Sequence, residues 1–311
     1  MAVSLILVLL VAAVATLWRL SAREARARAD SPPLGQFITV EGLRLHYVQS
    51  GAGPDLVLIH GASGSMRDFT FDLVPELAKS YRVTVFDRPG LGYSDPLPDG
   101  DIRLASQARI LRLAATNLGV TNPIVVGQSY GGAVALAWAL DAPPAALVLI
   151  SAASLPWPGS LDPWYQLNEY SLARWIALPL AAAWVPEAFV RRTIDGIFAP
   201  DAAPPGYADY MGIDQSLRRA MLDINIRQVN ALRDQIVAME PRYATLTLPI
   251  EMVHGDADTI VPLAVHSAPL AARLPSARLT VIPGAGHMPH HTHRQIVLDA
   301  IDRAASRAGL R

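Results

Sequence analysis

Residues 127–131 read Gly127-Gln128-Ser129-Tyr130-Gly131. They follow an apolar run, Pro123-Ile124-Val125-Val126, and precede a second apolar stretch from Gly132 to Leu140. The first run has the length and composition of a buried strand, and the second reads as a buried helix. A strand, a G-x-S-x-G and a helix form the setting in which this motif makes a nucleophile elbow. Glycines on both flanks remove β-carbons that would collide across so tight a turn. The serine hydroxyl then stands clear of the backbone. The N–H of the next residue opens a helix, where a developing oxyanion is stabilised.

Outward from the elbow, short apolar strands alternate with helical stretches. Gln36–Val40 and Leu43–Val48 flank Glu41-Gly42, a hairpin signature. Leu56–Ile59, Arg82–Phe86 and Ala146–Ile150 read as buried strands, with helices expected near 69–79 and 102–118. Such alternation implies parallel pairing through right-handed crossovers, hence a mostly parallel central sheet covered by helices on both faces. The alternation stops near Ser154 and resumes at Pro249-Ile250-Glu251-Met252-Val253. The intervening residues, 154–247, read as a helical cap inserted into a core made of 35–153 and 248–311. The cap holds Trp157, Trp164, Trp175 and Trp184, four of the six tryptophans, which are expected to line a substrate pocket. Gln215–Glu240 reads as one long helix with an apolar stripe of Leu222, Ile226, Val229, Leu232 and Ile236.

Composition narrows the classes. A chain of 311 residues with 51% hydrophobic content buries a substantial core. Its net charge of −1 gives no reason to expect nucleic acid as a partner. Cysteine is absent, which excludes disulfides, thiolate catalysis and cysteine zinc sites. Residues 2–18 carry no charge, and Arg19, Arg23, Arg26 and Arg28 follow. Seventeen helical residues span about 26 Å, near the lower limit for crossing a bilayer. The reading is a single-pass anchor over 1–19 and a polar tether over 20–34, with lipid as a partner through 2–18. The positive-inside rule places the domain that follows in the cytoplasm. A cleaved export signal is the alternative, helped by the Ala27-Arg28-Ala29 string.

A serine nucleophile needs a base and an orienting acid after it, each just beyond a strand end. The 250–253 strand leads into His254-Gly255-Asp256-Ala257-Asp258, and the Arg278–Ile282 strand into Pro283-Gly284-Ala285-Gly286-His287. With His60-Gly61-Ala62 and Asp87-Arg88-Pro89-Gly90-Leu91-Gly92-Tyr93-Ser94, these motifs carry a resemblance to the α/β-hydrolase fold superfamily from residue 36 onward. The resemblance is closest to capped Ser-His-Asp members: esterases, C–C bond hydrolases and cofactor-free perhydrolases. It implies Ser129 as nucleophile, His287 as general base and Asp258 as the acid, with Asp256 as rival. It also implies an oxyanion hole from the N–H groups of Tyr130 and Ala62.

The activity so implied is cleavage of a carboxylic ester of a fairly hydrophobic, lipid-like small molecule through an acyl-enzyme, without a cofactor. C–C hydrolysis and perhydrolysis use the same triad and stay open. Outside catalysis, a protein that merely holds a hydrophobic ligand stays open too. Relatives that form a carboxylate-ester intermediate carry an aspartate at the elbow, where this chain has Ser129. His287, His290, His291 and His293 suggest a metal cluster, but His290 to His293 fall where a helix begins, no Cys accompanies them, a carboxylate-rich partner is missing and no metal is expected. His60 and His254 read as structural, and Asp87 with Arg88 as a loop-stabilising pair.

Overall fold

The computed structural model describes residues 1–311. Its strands are β1 (Gln36–Val40), β2 (Leu43–Ser50), β3 (Asp55–Ile59), β4 (Arg82–Phe86), β5 (Ile124–Gln128), β6 (Ala146–Ile150), β7 (Ile250–Gly255) and β8 (Ala277–Ile282). One helix, α1 (Ala2–Asp30), precedes them. Within the first part of the core lie α2 (Arg67–Thr70), α3 (Leu73–Leu77), α4 (Leu104–Asn117) and α5 (Tyr130–Asp141). Between β6 and β7 come α6 (Pro163–Leu167), α7 (Ser171–Trp184), α8 (Glu187–Phe198), α9 (Tyr207–Met211), α10 (Ile213–Ser216), α11 (Arg219–Asn230) and α12 (Leu232–Met239). The chain closes with α13 (Ser267–Arg273), α14 (Pro289–Thr292) and α15 (Arg294–Arg307).

All eight strands join one sheet in the order β1-β2-β4-β3-β5-β6-β7-β8. The β1–β2 and β2–β4 pairs are antiparallel and the remaining pairs are parallel. Glu41 and Gly42 both take positive φ, 51° and 79°, as a type I′ hairpin turn requires. The apolar runs are continuous because both faces of the sheet are covered. Val57 and Ile59 pack in one layer with α4 and α5, whereas Leu56 and Leu58 pack in the other with α3 and α15. Parallel strands bring the C-terminal ends of β3 to β8 to one edge, where the loops that carry chemistry collect.

Three expectations are corrected. The helix near 69–79 is two short ones, α2 and α3. The long helix over 215–240 is broken into α10, α11 and α12. Arg218 turns extended (φ −58°, ψ 130°) as its guanidinium reaches the Gly92 carbonyl at 2.9 Å, and a second bend falls at Ala231. The apolar stripe survives these breaks, with Ile226, Val229, Leu232 and Ile236 all buried.

The polar tether is the third. Residues 20–30 continue α1 without interruption and dock on the cap. Leu20, Arg23 and Ala27, spaced three and four apart, form its buried face. Arg23 meets Asp214 at 2.6 Å and donates to the Val185 carbonyl at 2.8 Å. The first part of α1 is different. Its most apolar 18-residue window has a mean hydropathy of 2.4 and is only 11% buried, so α1 is long and apolar enough to cross a membrane.

Candidate active site

Ser129 occupies the turn from β5 into α5 with φ 52° and ψ −120°, outside the regions that residues with side chains favour. The neighbours make this strain sustainable. A β-carbon on Gly127 would overlap the Gly131 carbonyl, and one on Gly131 would overlap the Ile59 carbonyl. The Ser129 N–H donates to the Ile150 carbonyl at 2.9 Å, and its carbonyl accepts from Gly132 at 3.0 Å and Ala153 at 3.2 Å. These bonds fix the turn on both sides.

Asp258 and His287 stand in the loops beyond β7 and β8, both buried. His287 Nδ1 lies 2.7 Å from Asp258 Oδ2. With Nδ1–H donating there, Nε2 carries the lone pair that a general base uses. Asp258 Oδ1 accepts from the N–H groups of Ile260 and Val261, each at 2.9 Å, and His254 Nε2 lies 3.2 Å from Oδ2. Burial disfavours the charge on Asp258. Hydrogen bonds from His254, His287 and the Val261 amide outweigh it and hold the carboxyl below the usual carboxylate range. The rival Asp256 is exposed and accepts from the Gly284 N–H at 2.7 Å. His287 Nε2 is 3.4 Å from the Gln128 side-chain amide, and no hydrogen bond joins it to the Ser129 hydroxyl in this arrangement. Catalytic bonds of this kind often tighten only when substrate is bound.

Tyr130 is the first residue of α5, so its N–H has no acceptor within the helix. The Ala62 N–H, in the loop after β3, donates to no protein group. That loop is held by Arg88, which is fully buried. Its guanidinium donates to the carbonyls of His60 and Gly61, both at 2.9 Å, and to the side chains of Gln107 at 2.9 Å and Gln228 at 2.7 Å. It also lies 4.2 Å above the Tyr130 ring. Burial lowers its pKa to about 10, which leaves it charged near neutrality. Asp87 and Arg88 therefore do not pair with each other. Asp87 takes His46 at 2.7 Å and the amides of Met66 and Tyr93, while Arg88 holds the loop after β3. His60 accepts from the Arg88 N–H at 3.0 Å, and His254 contacts Ser267 at 2.7 Å; both lie within buried hydrogen-bond networks.

The cap grips both halves of the site, which the sequence did not reveal. Asn225 of α11 accepts from the Ser63 N–H at 2.6 Å, one residue beyond Ala62. Asp201, after α8, accepts from the Gly286 N–H at 2.9 Å, one residue before His287. Of the four cap tryptophans, Trp157 is half-buried 5.9 Å from His266, and Trp164 is half-buried on α6. Trp175 and Trp184 do not match the pocket reading. They stand on the outer surface of α7, because Leu178, Ala182 and Ala183 form its buried face.

His290 and His291 do meet carboxylates, supplied by distant segments. His290 Nε2 and His291 Nε2 contact the two oxygens of Asp68 at 3.1 and 2.9 Å, and His291 Nδ1 contacts Asp72 at 2.9 Å. Asp68, His290 and His291 are the residues that could hold a metal, with three candidate ligand atoms within 4.8 Å of one another. Here those atoms are engaged with each other, and Tyr207 of α9 adds its hydroxyl to Asp68 at 2.7 Å. The cluster thus joins cap to core.

Comparison with known proteins agrees with this architecture. The family model described as alpha/beta hydrolase fold matches residues 54–294, and the chain belongs to that family. It is 34% identical to the magnesium-chelatase 30 kDa subunit of Rhodobacter capsulatus over 274 residues, 86% of this chain and 90% of that one. A pimeloyl-(acyl-carrier protein) methyl ester esterase of Aeromonas hydrophila subsp. hydrophila is 31% identical over 258 residues, 81% of this chain and 95% of its own. Among solved structures, an alpha/beta hydrolase fold protein from Burkholderia ambifaria superposes with a TM-score of 0.72 at 27% identity, over 87% of this chain and 98% of that one. The protein is thus a hydrolase of this fold with esterase-like relatives.

Proposed function

We propose that this protein is a serine hydrolase that cleaves carboxylic esters with a sizeable apolar portion. In this reading Ser129 attacks the ester carbonyl while His287 Nε2 takes its proton. Asp258 holds the imidazole in the right tautomer and stabilises its charged form. The N–H groups of Tyr130 and Ala62 receive the negative oxygen of the tetrahedral intermediate. His287 returns the proton to the leaving alcohol, and water releases the acyl group by the reverse path. The observation that carries the reading is the 2.7 Å contact of His287 with Asp258 beside a serine held at φ 52°. The methyl ester esterase among its relatives fits the same chemistry.

The apolar start of α1 supports a further part of the reading, a membrane anchor with the catalytic domain on the cytoplasmic side. The test of the chemistry is hydrolysis of p-nitrophenyl esters of rising acyl length by the full chain in detergent, beside Ser129→Ala. Activity lost in that variant is the expected result. Turnover surviving it would remove Ser129 from the mechanism.

A further inference from the structure

The exposed part of α1 leads into the rest of the molecule at one place, the corner where α7 turns into α8. There Trp184 donates to the Thr16 hydroxyl at 3.0 Å, and Arg19 donates to the Ala183 carbonyl at 2.8 Å. The Arg19 guanidinium also lies 4.8 Å from the Trp184 ring centre. These bonds set the corner level with residues 16–19, the end of the apolar segment. The corner is itself apolar and open: Leu180 and Trp184 are each 48% exposed and Phe189 is 58% exposed, beside Trp18 at 72%. Arg192, three residues after Phe189 and so on the same face of α8, is exposed and has no carboxylate partner. Its neighbour Arg191 is paired with Glu187 and Asp209.

Tryptophans at the end of an apolar helix, with arginines at the same level, match the chemistry of the interfacial layer of a bilayer. We propose that the α7–α8 corner is a second membrane contact, seated among the headgroups and upper acyl chains of an anionic phospholipid bilayer beside the end of α1. The inference rests on residues 2–18 being in the bilayer. Lipid is the occupant because the corner continues a surface that is already apolar along α1, and because Arg19 stands at the level of phosphates there, with Arg192 an exposed cation without a carboxylate partner on the adjoining helix. The consequence reaches the catalytic site. From the corner, α8 runs about 18 Å to Phe198, with Asp201 and its bond to Gly286 just beyond. A corner fixed in lipid therefore holds the cap, and the loop it grips, against the membrane. Substrates of this site would be esters carried in the bilayer.

The absence of cysteine allows single nitroxide labels without background. The full chain is reconstituted into phosphatidylcholine–phosphatidylglycerol vesicles as Leu10→Cys, Phe189→Cys or Gln295→Cys, and collisions with oxygen and with a water-soluble nickel chelate are compared. Labels at 10 and 189 are expected to favour oxygen, and the label at 295, exposed on α15, to favour nickel. A label at 189 that favours nickel while the one at 10 favours oxygen would overturn the corner contact and leave the anchor standing. If both favour nickel, the anchor reading fails and the inference falls with it. A label at 189 shielded from both agents, with spin–spin broadening, would show a second copy of the chain on the corner and would equally overturn the proposal.

Discussion

Asp258 gives its two oxygens to different tasks: Oδ2 meets His287 Nδ1 at 2.7 Å, and Oδ1 is held by the amides of Ile260 and Val261. The carboxylate is thus fixed in orientation, with one oxygen turned to the imidazole. Asp258→Asn keeps the shape but offers an amide where an acceptor is needed, which favours the wrong tautomer of His287. A fall in kcat of about 10⁴-fold is expected, with KM little changed. Asp256→Asn, at an exposed residue tied to Gly284, is expected to stay within a few fold of the parent. Both follow from kcat and KM on one soluble ester. If the Asp256 variant suffered the larger loss, the assignment of the acid would be reversed.

Arg88 carries a second expectation. Arg88→Met fills much of the same volume but leaves the acceptors of His60, Gly61, Gln107 and Gln228 without their donor. Each buried acceptor left dry costs about 1–3 kcal/mol. A clear drop in the denaturation midpoint is expected, together with a lower kcat, because the loop bearing Ala62 loses its brace. Gln228→Leu removes a single acceptor and should show a smaller effect on both. Urea titration with parallel kinetics checks the pair; unchanged stability in Arg88→Met would mean that water replaces the guanidinium.

Asn225 tests whether the cap contributes to catalysis through the loop it holds. Asn225→Ala frees the Ser63 N–H and the Ser63 hydroxyl, both bonded to that side chain. The expected result is a loss of about tenfold in kcat, smaller than removal of an oxyanion donor, which typically costs 10²–10³-fold. Global stability should change by about 1 kcal/mol, the value of an ordinary hydrogen bond. A variant with a raised KM and unchanged kcat would place Asn225 in substrate binding instead.

These residues also mark where the sequence stops being informative. Strands such as Leu56–Ile59 and the placing of Ser129, Asp258 and His287 just beyond strand ends are legible because the signals are local: an apolar run, then a turn that carries a polar side chain. The His290–Asp68 and His291–Asp72 contacts span 222 and 219 residues, and Asn225–Ser63 spans 162. No periodicity encodes such a meeting, since it depends on how the cap folds back over the sheet. Two of the cap tryptophans, Trp175 and Trp184, miss the pocket reading for a related reason. Helical spacing shows that α7 has an apolar stripe, but Ala182 and Ala183 take the buried face and leave Trp175 and Trp184 outside. The break of 215–240 at Arg218 goes with its reach to Gly92, again a contact that only the assembled fold supplies.

His291 gives the last expectation, in pH. Burial opposes its charge, yet hydrogen bonds to Asp68 and Asp72 outweigh that cost and push its pKa up to about 9. His290, the Tyr207 hydroxyl and Arg294 complete the set of titratable groups around these carboxylates. In the unfolded chain a histidine titrates near 6.5, so the folded state holds this proton across the interval between the two values. The stabilisation is complete below about pH 6.5 and is lost as pH rises through about 9. His60 and His266 act in the opposite direction. Burial pushes both down to about 4, so their contribution is complete above about pH 6.5 and is lost as pH falls towards 4. Thermal midpoints of the full chain in detergent should therefore decline on both sides of neutrality. His291→Gln should lower the midpoint at pH 7 and flatten the alkaline limb while leaving the acid limb in place. An alkaline limb of unchanged slope in that variant would assign the loss of stability to other groups and remove His291 as the clamp between cap and core.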